Sequence, residues 1–165
     1  MEPEPHSELL GRIPIFQGLT PEQLAAIAGS GREVHFENGS TLLRAGENGE
    51  AAFLILGGSV VVQPLEHSFH PPELLGSGTL VGELAMLVET IFTVTVTTRW
   101  PVRALALKRS ALLAVMEEDP SIAHHFAGKL LDRLRQLTSD LHRLDGKFAM
   151  VEVTLDQAIA EAGAL

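Results

Sequence analysis

Residues 76–96 read GSGTLVGELAMLVETIFTVTV, and the rest of the chain is organised around them. Gly76 and Gly78 mark a turn. Gly82 and Glu83 open a short apolar run, Leu84, Ala85, Met86 and Leu87. After Glu89 and Thr90, apolar residues and threonines alternate from Phe92 to Thr98, which predicts a half-buried strand over 92–98. A glycine-led helical turn set between strands presents backbone N–H groups at its start, and these suit an anion. Glu83, in the same turn, would repel a bare phosphate but can accept hydrogen bonds from sugar hydroxyls. A sugar phosphate satisfies both features better than a free anion does.

Working outward, three turn signals precede this stretch at intervals of about ten residues: Asn38-Gly39, Asn48-Gly49 and Gly57-Gly58. Apolar segments at 41–44, 51–56 and 59–63 lie between and after them. That rhythm predicts an antiparallel barrel or sandwich joined by tight hairpins. Residues 64–72, PLEHSFHPP, lack alternation and read as a loop at a hairpin tip. A further strand is expected at 102–107 and a short helix at 108–116, with Lys108 and Arg109 as a solvated pair. Trp100-Pro101 is expected to pack at a strand junction.

Helices flank the strands. Thr20-Pro21-Glu22-Gln23 is a helix start: Thr20 caps, Pro21 suits the first helical position, and Gln23 completes a capping box. Leu19 and Leu24 are spaced for a hydrophobic staple, and Gly29 and Gly31 end the helix. Asp119-Pro120 starts a second helix, expected to stop at Gly146 after about 26 residues, or roughly 39 Å. Its apolar positions Ala123, Ala127, Leu130, Leu134, Leu137, Leu141 and Leu144 are spaced alternately by four and three, the pattern of a coiled-coil seam. The simplest partner is the same helix of a second copy, giving a two-fold homodimer. Thr154 and Gln157 offer a further capping box, opening a weak Ala-rich helix.

Composition bounds the function. The chain has 165 residues, 45% of them apolar, enough for one domain with an appendage. A net charge of −9 opposes unspecific binding to nucleic acid or anionic membrane. Without cysteine there is no disulfide or thiol chemistry. No run approaches the roughly 18 apolar residues of a membrane span, and the acidic start MEPEPHSE is unlike a secretion signal, so a cytoplasmic protein is expected. His124 and His125 are adjacent on a helix and point in different directions; His67 and His70 share a loop and make at most half a metal site. Gly76 and Gly78 are no dinucleotide fingerprint, and no catalytic arrangement stands out, so the chain reads as a non-enzyme with neither catalytic nor metal residues.

The sequence from Gly82 to Leu87, GELAML, resembles the phosphate-binding cassette of the cyclic-nucleotide-binding domain family, typified by the sensor domain of the catabolite activator protein. The family pattern is F-G-E-L-A-L-L, a few residues, then P-R-A-A-T-V. Val81 stands for the Phe, while Gly82, Glu83, Leu84 and Ala85 are kept. Ile91-Phe92 replaces Pro-Arg, followed by Thr93. The resemblance covers about residues 13–145 and implies a mainly β fold, a double-stranded β-helix (jelly roll) with an N-terminal helical segment and a long C-terminal dimerisation helix. The chain is thus expected to divide into a flexible tail (1–8), a barrel (9–118), the long helix (119–146) and a short extension (147–165).

The resemblance also implies that cyclic AMP or cyclic GMP would be the ligand, its phosphate received by the amides of Glu83, Leu84 and Ala85 and its ribose by Glu83. Gln136-Leu137-Thr138-Ser139-Asp140 is similar to a stretch whose Thr and Ser contact the base in the family, which makes Thr138 and Ser139 candidate base contacts. The missing Arg, the family's charged contact to the phosphate, argues for weak or altered binding, and Arg44, Arg99 and Arg103 do not fall in the cassette. The reading is therefore a regulatory sensor with a degenerate phosphate site. The alternatives are a ligand-independent dimerisation or protein-interaction domain, or the sensor part of a transcription regulator whose DNA-binding part lies outside this chain. Residues 147–165 are too short for such a part and not basic. If a ligand binds, the hinge of the family's response would fall at 117–120.

Overall fold

The computed structural model describes residues 5–64 and 71–163. It has a unit reaching to Phe126 and a second beginning at Ala127. The first holds helix α1 (His6–Gly11), a 3-10 turn (Pro14–Phe16) and α2 (Pro21–Ser30), then ten strands, then α3 (Arg109–Glu118) and the start of α4 (Pro120–Gly163). The strands are β1 (Arg32–Phe36), β2 (Thr41–Leu43), β3 (Asn48–Gly49), β4 (Ala51–Gly57), β5 (Val60–Pro64), β6 (Glu73–Leu75), β7 (Leu80–Val81), β8 (Thr90–Ile91), β9 (Val94–Thr98) and β10 (Val102–Lys108).

Pairing is nested. β1 lies beside β10, β2 beside β9, β3 beside β8, β4 beside β7 and β5 beside β6, all antiparallel. One long, folded-over ribbon is thus wound on itself. Lateral pairs β10–β4 and β9–β5 complete two four-stranded sheets, β1-β10-β4-β7 and β2-β9-β5-β6. This is the expected jelly roll, but none of the three early turn signals makes a tight hairpin. Asn38-Gly39 and Gly57-Gly58 carry the chain from one sheet to the other, and Asn48-Gly49 is itself strand β3. Local turn chemistry requires a reversal of backbone conformation but does not say which strand will be the neighbour. Gly58 shows the constraint at such a corner: its φ is +86°, and a Cβ there would lie 2.3 Å from the Pro101 carbonyl oxygen.

β4 and β10 sit between two apolar layers, which explains their near-continuous apolar sequences. From β4, Ala52, Leu54 and Leu56 face a helix-side cluster with Leu10, Phe16, Ile27, Leu112, Ile122 and Phe126, while Ile55 joins Leu43, Val60, Val81, Val96, Val102 and Ala104 in a second cluster. Trp100, expected to pack at a junction, is 64% exposed on the β9–β10 connection.

The helix starts follow the local code. In α2, Thr20 Oγ1 accepts from the Gln23 amide at 3.2 Å, and Gln23 Oε1 accepts from the Thr20 amide at 3.0 Å. α1 begins at His6, inside the stretch expected to be loose. Asp119 separates α3 from α4, so the chain breaks within 117–120. Its carboxylate accepts from the Ser121 amide and from Gln23 Nε2, both at 3.1 Å, and from the Ser121 hydroxyl at 2.5 Å. These donors, Ser121 first, hold the carboxyl below its usual pKa. His125 contacts the Ile15 carbonyl through Nε2 at 2.9 Å and packs edge-on to Phe126, a structural task for that ring.

α4 does not stop at Gly146. It runs to Gly163 as a single 44-residue helix, absorbing Gly146 and the supposed start at Thr154. Thr154 donates its hydroxyl to the Met150 carbonyl at 2.8 Å, as a residue inside a helix does. Among the described residues no helix is long and apolar enough to cross a membrane. His67 and His70 lie outside the described residues; among those described, no group of three His, Asp or Glu could hold a metal ion.

Candidate functional site

The GELAM segment is a 3-10 turn, Glu83–Met86, entered through Gly82 at φ +74°. Only glycine takes that left-handed conformation without strain, so it sets the turn's direction. Ala85 and Met86 are buried. Met86 belongs to the helix-side cluster, and Ala85 lies so close to β3 that a Cβ on Gly49 would come within 2.6 Å of the Ala85 Cβ. Of the three amides expected to receive a phosphate, that of Ala85 donates to the Gly82 carbonyl at 3.0 Å within the turn itself. Glu83 and Leu84 are half-buried at its head.

Phe92 is not in a strand. It falls with Thr93 between β8 and β9, yet its backbone is held: its amide donates to the Glu47 carbonyl at 2.9 Å and its carbonyl accepts from the Gly46 amide at 2.8 Å. The half-buried ring turns inward onto the turn. A Cβ on Gly49 would lie 2.9 Å from its Cε1 and Cζ, and one on Gly82 3.3 Å from its Cε1. It packs against the second apolar cluster. Thr93 is exposed.

The arginine that does reach the turn is one the sequence reading set aside. Arg109 is no solvated residue: its Nη1 donates to the carbonyls of Gly49 at 2.9 Å, Ala85 at 3.0 Å and Val88 at 3.1 Å. One cation thus clamps β3, the 3-10 turn and the segment after it to the start of α3. It serves carbonyl oxygens, so its role is that of a structural clamp. Only its position at the strand-to-helix junction could have hinted at this. Arg44 pairs with Glu47 at 3.5 Å and Arg103 with Glu33 at 3.2 Å. Replacing Arg109 with Ala strands three carbonyls; at about 1–3 kcal/mol for an unsatisfied polar group, we expect that cost in thermal unfolding, with faster amide exchange at Leu87 and Val88.

Thr138 and Ser139 belong to the second unit, exposed on α4. The Thr138 hydroxyl donates to the Leu134 carbonyl at 2.9 Å, leaving its lone pairs for any outside donor.

A sequence model of the cyclic nucleotide-binding domain matches residues 33–119, from β1 through the jelly roll to the end of α3. The chain belongs to the cyclic nucleotide-binding domain family. It is 29% identical over 136 residues to a CRP-like cAMP-activated global transcriptional regulator of Mycobacterium tuberculosis, covering 81% of this chain and 61% of that protein. It is also 29% identical over 144 residues to a cGMP-dependent protein kinase, egl-4, of Caenorhabditis elegans, covering 83% of this chain but 18% of the kinase. The chain thus spans about three-fifths of the CRP-like relative and less than a fifth of the kinase. Among solved structures, the N-terminal domain of a transcriptional regulator from Streptomyces coelicolor A3(2) superposes with a TM-score of 0.72 at 27% identity, covering 81% of this chain and 94% of that one. The matched part is a binding domain of CRP-like architecture.

Proposed function

We propose that this cyclic nucleotide-binding domain is a non-enzymatic regulatory sensor, dimeric through the seam on α4, whose phosphate seat has been filled by an aromatic ring. The carrying observation is Phe92, which occupies the motif position of the family's phosphate arginine and lies against Gly82 at the mouth of the turn. A ring there offers an apolar wall and excludes the charge that would offset a cyclic phosphate's desolvation. The engaged amide of Ala85 removes one further donor. Cyclic AMP and cyclic GMP are therefore held weakly, and a less anionic ligand suits the site better.

A second reading, a dimerisation or protein-interaction domain that works without ligand, is favoured by the long exposed apolar series on α4. Titration calorimetry of the purified chain with both cyclic nucleotides separates the cases. We expect no saturable binding at low micromolar nucleotide; tight, saturable binding overturns the degenerate-site reading. An inert chain that still sediments as a dimer supports the second.

A further inference from the structure

We propose that the apolar seam of α4 continues past Gly146 to Ala162, and that its occupant is the same stretch of a second copy of this chain, parallel and in register. This rests on the dimer reading above and extends it by the length of helix that follows Gly146.

From Leu130 the alternation of four and three runs on without a slip through Leu134, Leu137, Leu141, Leu144, Phe148, Val151, Leu155, Ala158 and Ala162. A one-residue slip would turn the face by about 100° and end the stripe. None occurs, although Gly146 lies within the stretch. In heptad terms, with Leu134, Leu141, Phe148 and Leu155 at position a, the helix glycines Gly128, Gly146 and Gly163 fall at outward positions b and f. There they subtract no apolar contact, and nothing stands within 4 Å of a Cβ on any of them. No charged residue occupies an a or d position from Ala127 to Ala162.

Exposure is the same on both sides of Gly146: Leu137 55% and Leu141 62% before it, Phe148 66% and Val151 63% after it. An apolar series of this extent marks an interaction surface, and a regular stripe of period 3.5 selects a partner helix with the same stripe, although Met150, Val153 and Ile159 are exposed off it. A second copy supplies that at every layer. The parallel orientation brings one opposite-charge pair together beyond Gly146. Lys147 at position g then faces Glu152 at position e of the other copy. The like pair in the preceding heptad, Asp140 and Asp145, is softened because Asp140 bonds Arg143 of its own chain at 3.1 Å. The paired segment, residues 127–162, would be roughly 54 Å long at the helical rise.

The chain has no cysteine, so single thiols report without background. Full-length chains carrying Leu144→Cys, Val151→Cys or Val153→Cys are oxidised mildly and followed on non-reducing gels, with sedimentation velocity in parallel. Positions 144 and 151 face the seam and 153 faces away. Seam thiols of a parallel pair lie within disulfide reach, so we expect Leu144→Cys and Val151→Cys to cross-link at least about tenfold faster than Val153→Cys. If Leu144→Cys cross-links while Val151→Cys is as slow as Val153→Cys, the extension is wrong and the dimer reading stands. A chain that sediments as a dimer but cross-links at neither seam position overturns the parallel register. A monomeric chain overturns both, and leaves the stripe to a foreign helix.

Discussion

Phe92→Arg should bind cyclic AMP at least about tenfold more tightly than the parent chain, because a charge-assisted hydrogen bond contributes roughly 1.5–3 kcal/mol, or about 10- to 150-fold in affinity. The backbone favours a clean exchange. Residue 92 is held by hydrogen bonds to Glu47 and Gly46 through main-chain atoms, so the substitution changes the side chain and not the path. The ring now lies over Gly49 and Gly82, so the new guanidinium would emerge beside the amides at the head of the turn. Phe92→Ala is the control, since it vacates the same space without adding charge. A gain shared by both variants would trace the effect to steric relief rather than to the cation. No gain in the Arg variant by calorimetry would mean that residue 92 does not face the phosphate seat. Stability should fall in both, because the ring leaves the second apolar cluster.

Phe126→Ala should lower the stability of the first unit by about 3–5 kcal/mol, the range for truncating a fully buried aromatic ring. Phe126 is 2% exposed and stands edge-on to Phe16, with ring centroids 5.8 Å apart and planes at 79°. The pair joins the start of α4 to the N-terminal helices and through them to β4 and β10. In a domain of this size such a loss corresponds to a fall in melting temperature of roughly 6–20 °C. A fall no larger than that of a surface substitution, about 0.5 kcal/mol, would mean that the α4 start is not docked as described. Without the ring, the break between α3 and α4 at Asp119 would no longer be fixed to the barrel through this contact.

The two substitutions probe opposite faces of β4. Phe92 belongs with the layer between the sheets and Phe126 with the layer between sheet and helices. The cassette turn bridges the two layers, because Phe92 lies against Gly82 at its start and the buried Met86 at its end is part of the helix layer. That connection runs through a single 3-10 turn, clamped at the Ala85 carbonyl by Arg109.

Short-range physics made much of this chain legible. Thr20, Gln23 and Asp119 act on groups within a few residues, so their caps could be read directly and are formed. The strands β2, β4 and β5 follow from apolar runs bounded by turn residues. The glycine-led turn at Gly82 and the heptad stripe up to Leu144 depend only on spacing along the chain. Tertiary structure alone decided the rest. β1 and β10 pair across some seventy residues, a choice that local turn chemistry at Asn38-Gly39 or Gly57-Gly58 cannot encode. Arg109 finds its three carbonyls only because the barrel brings β3 and the cassette turn to the start of α3. That the helix outruns Gly146 is, by contrast, a local matter: one glycine costs about 1 kcal/mol, less than the backbone hydrogen bonds gained by continuing through to Gly163. Sequence specifies backbone conformation residue by residue; which distant polar group or apolar face meets which is settled only when the whole ribbon closes.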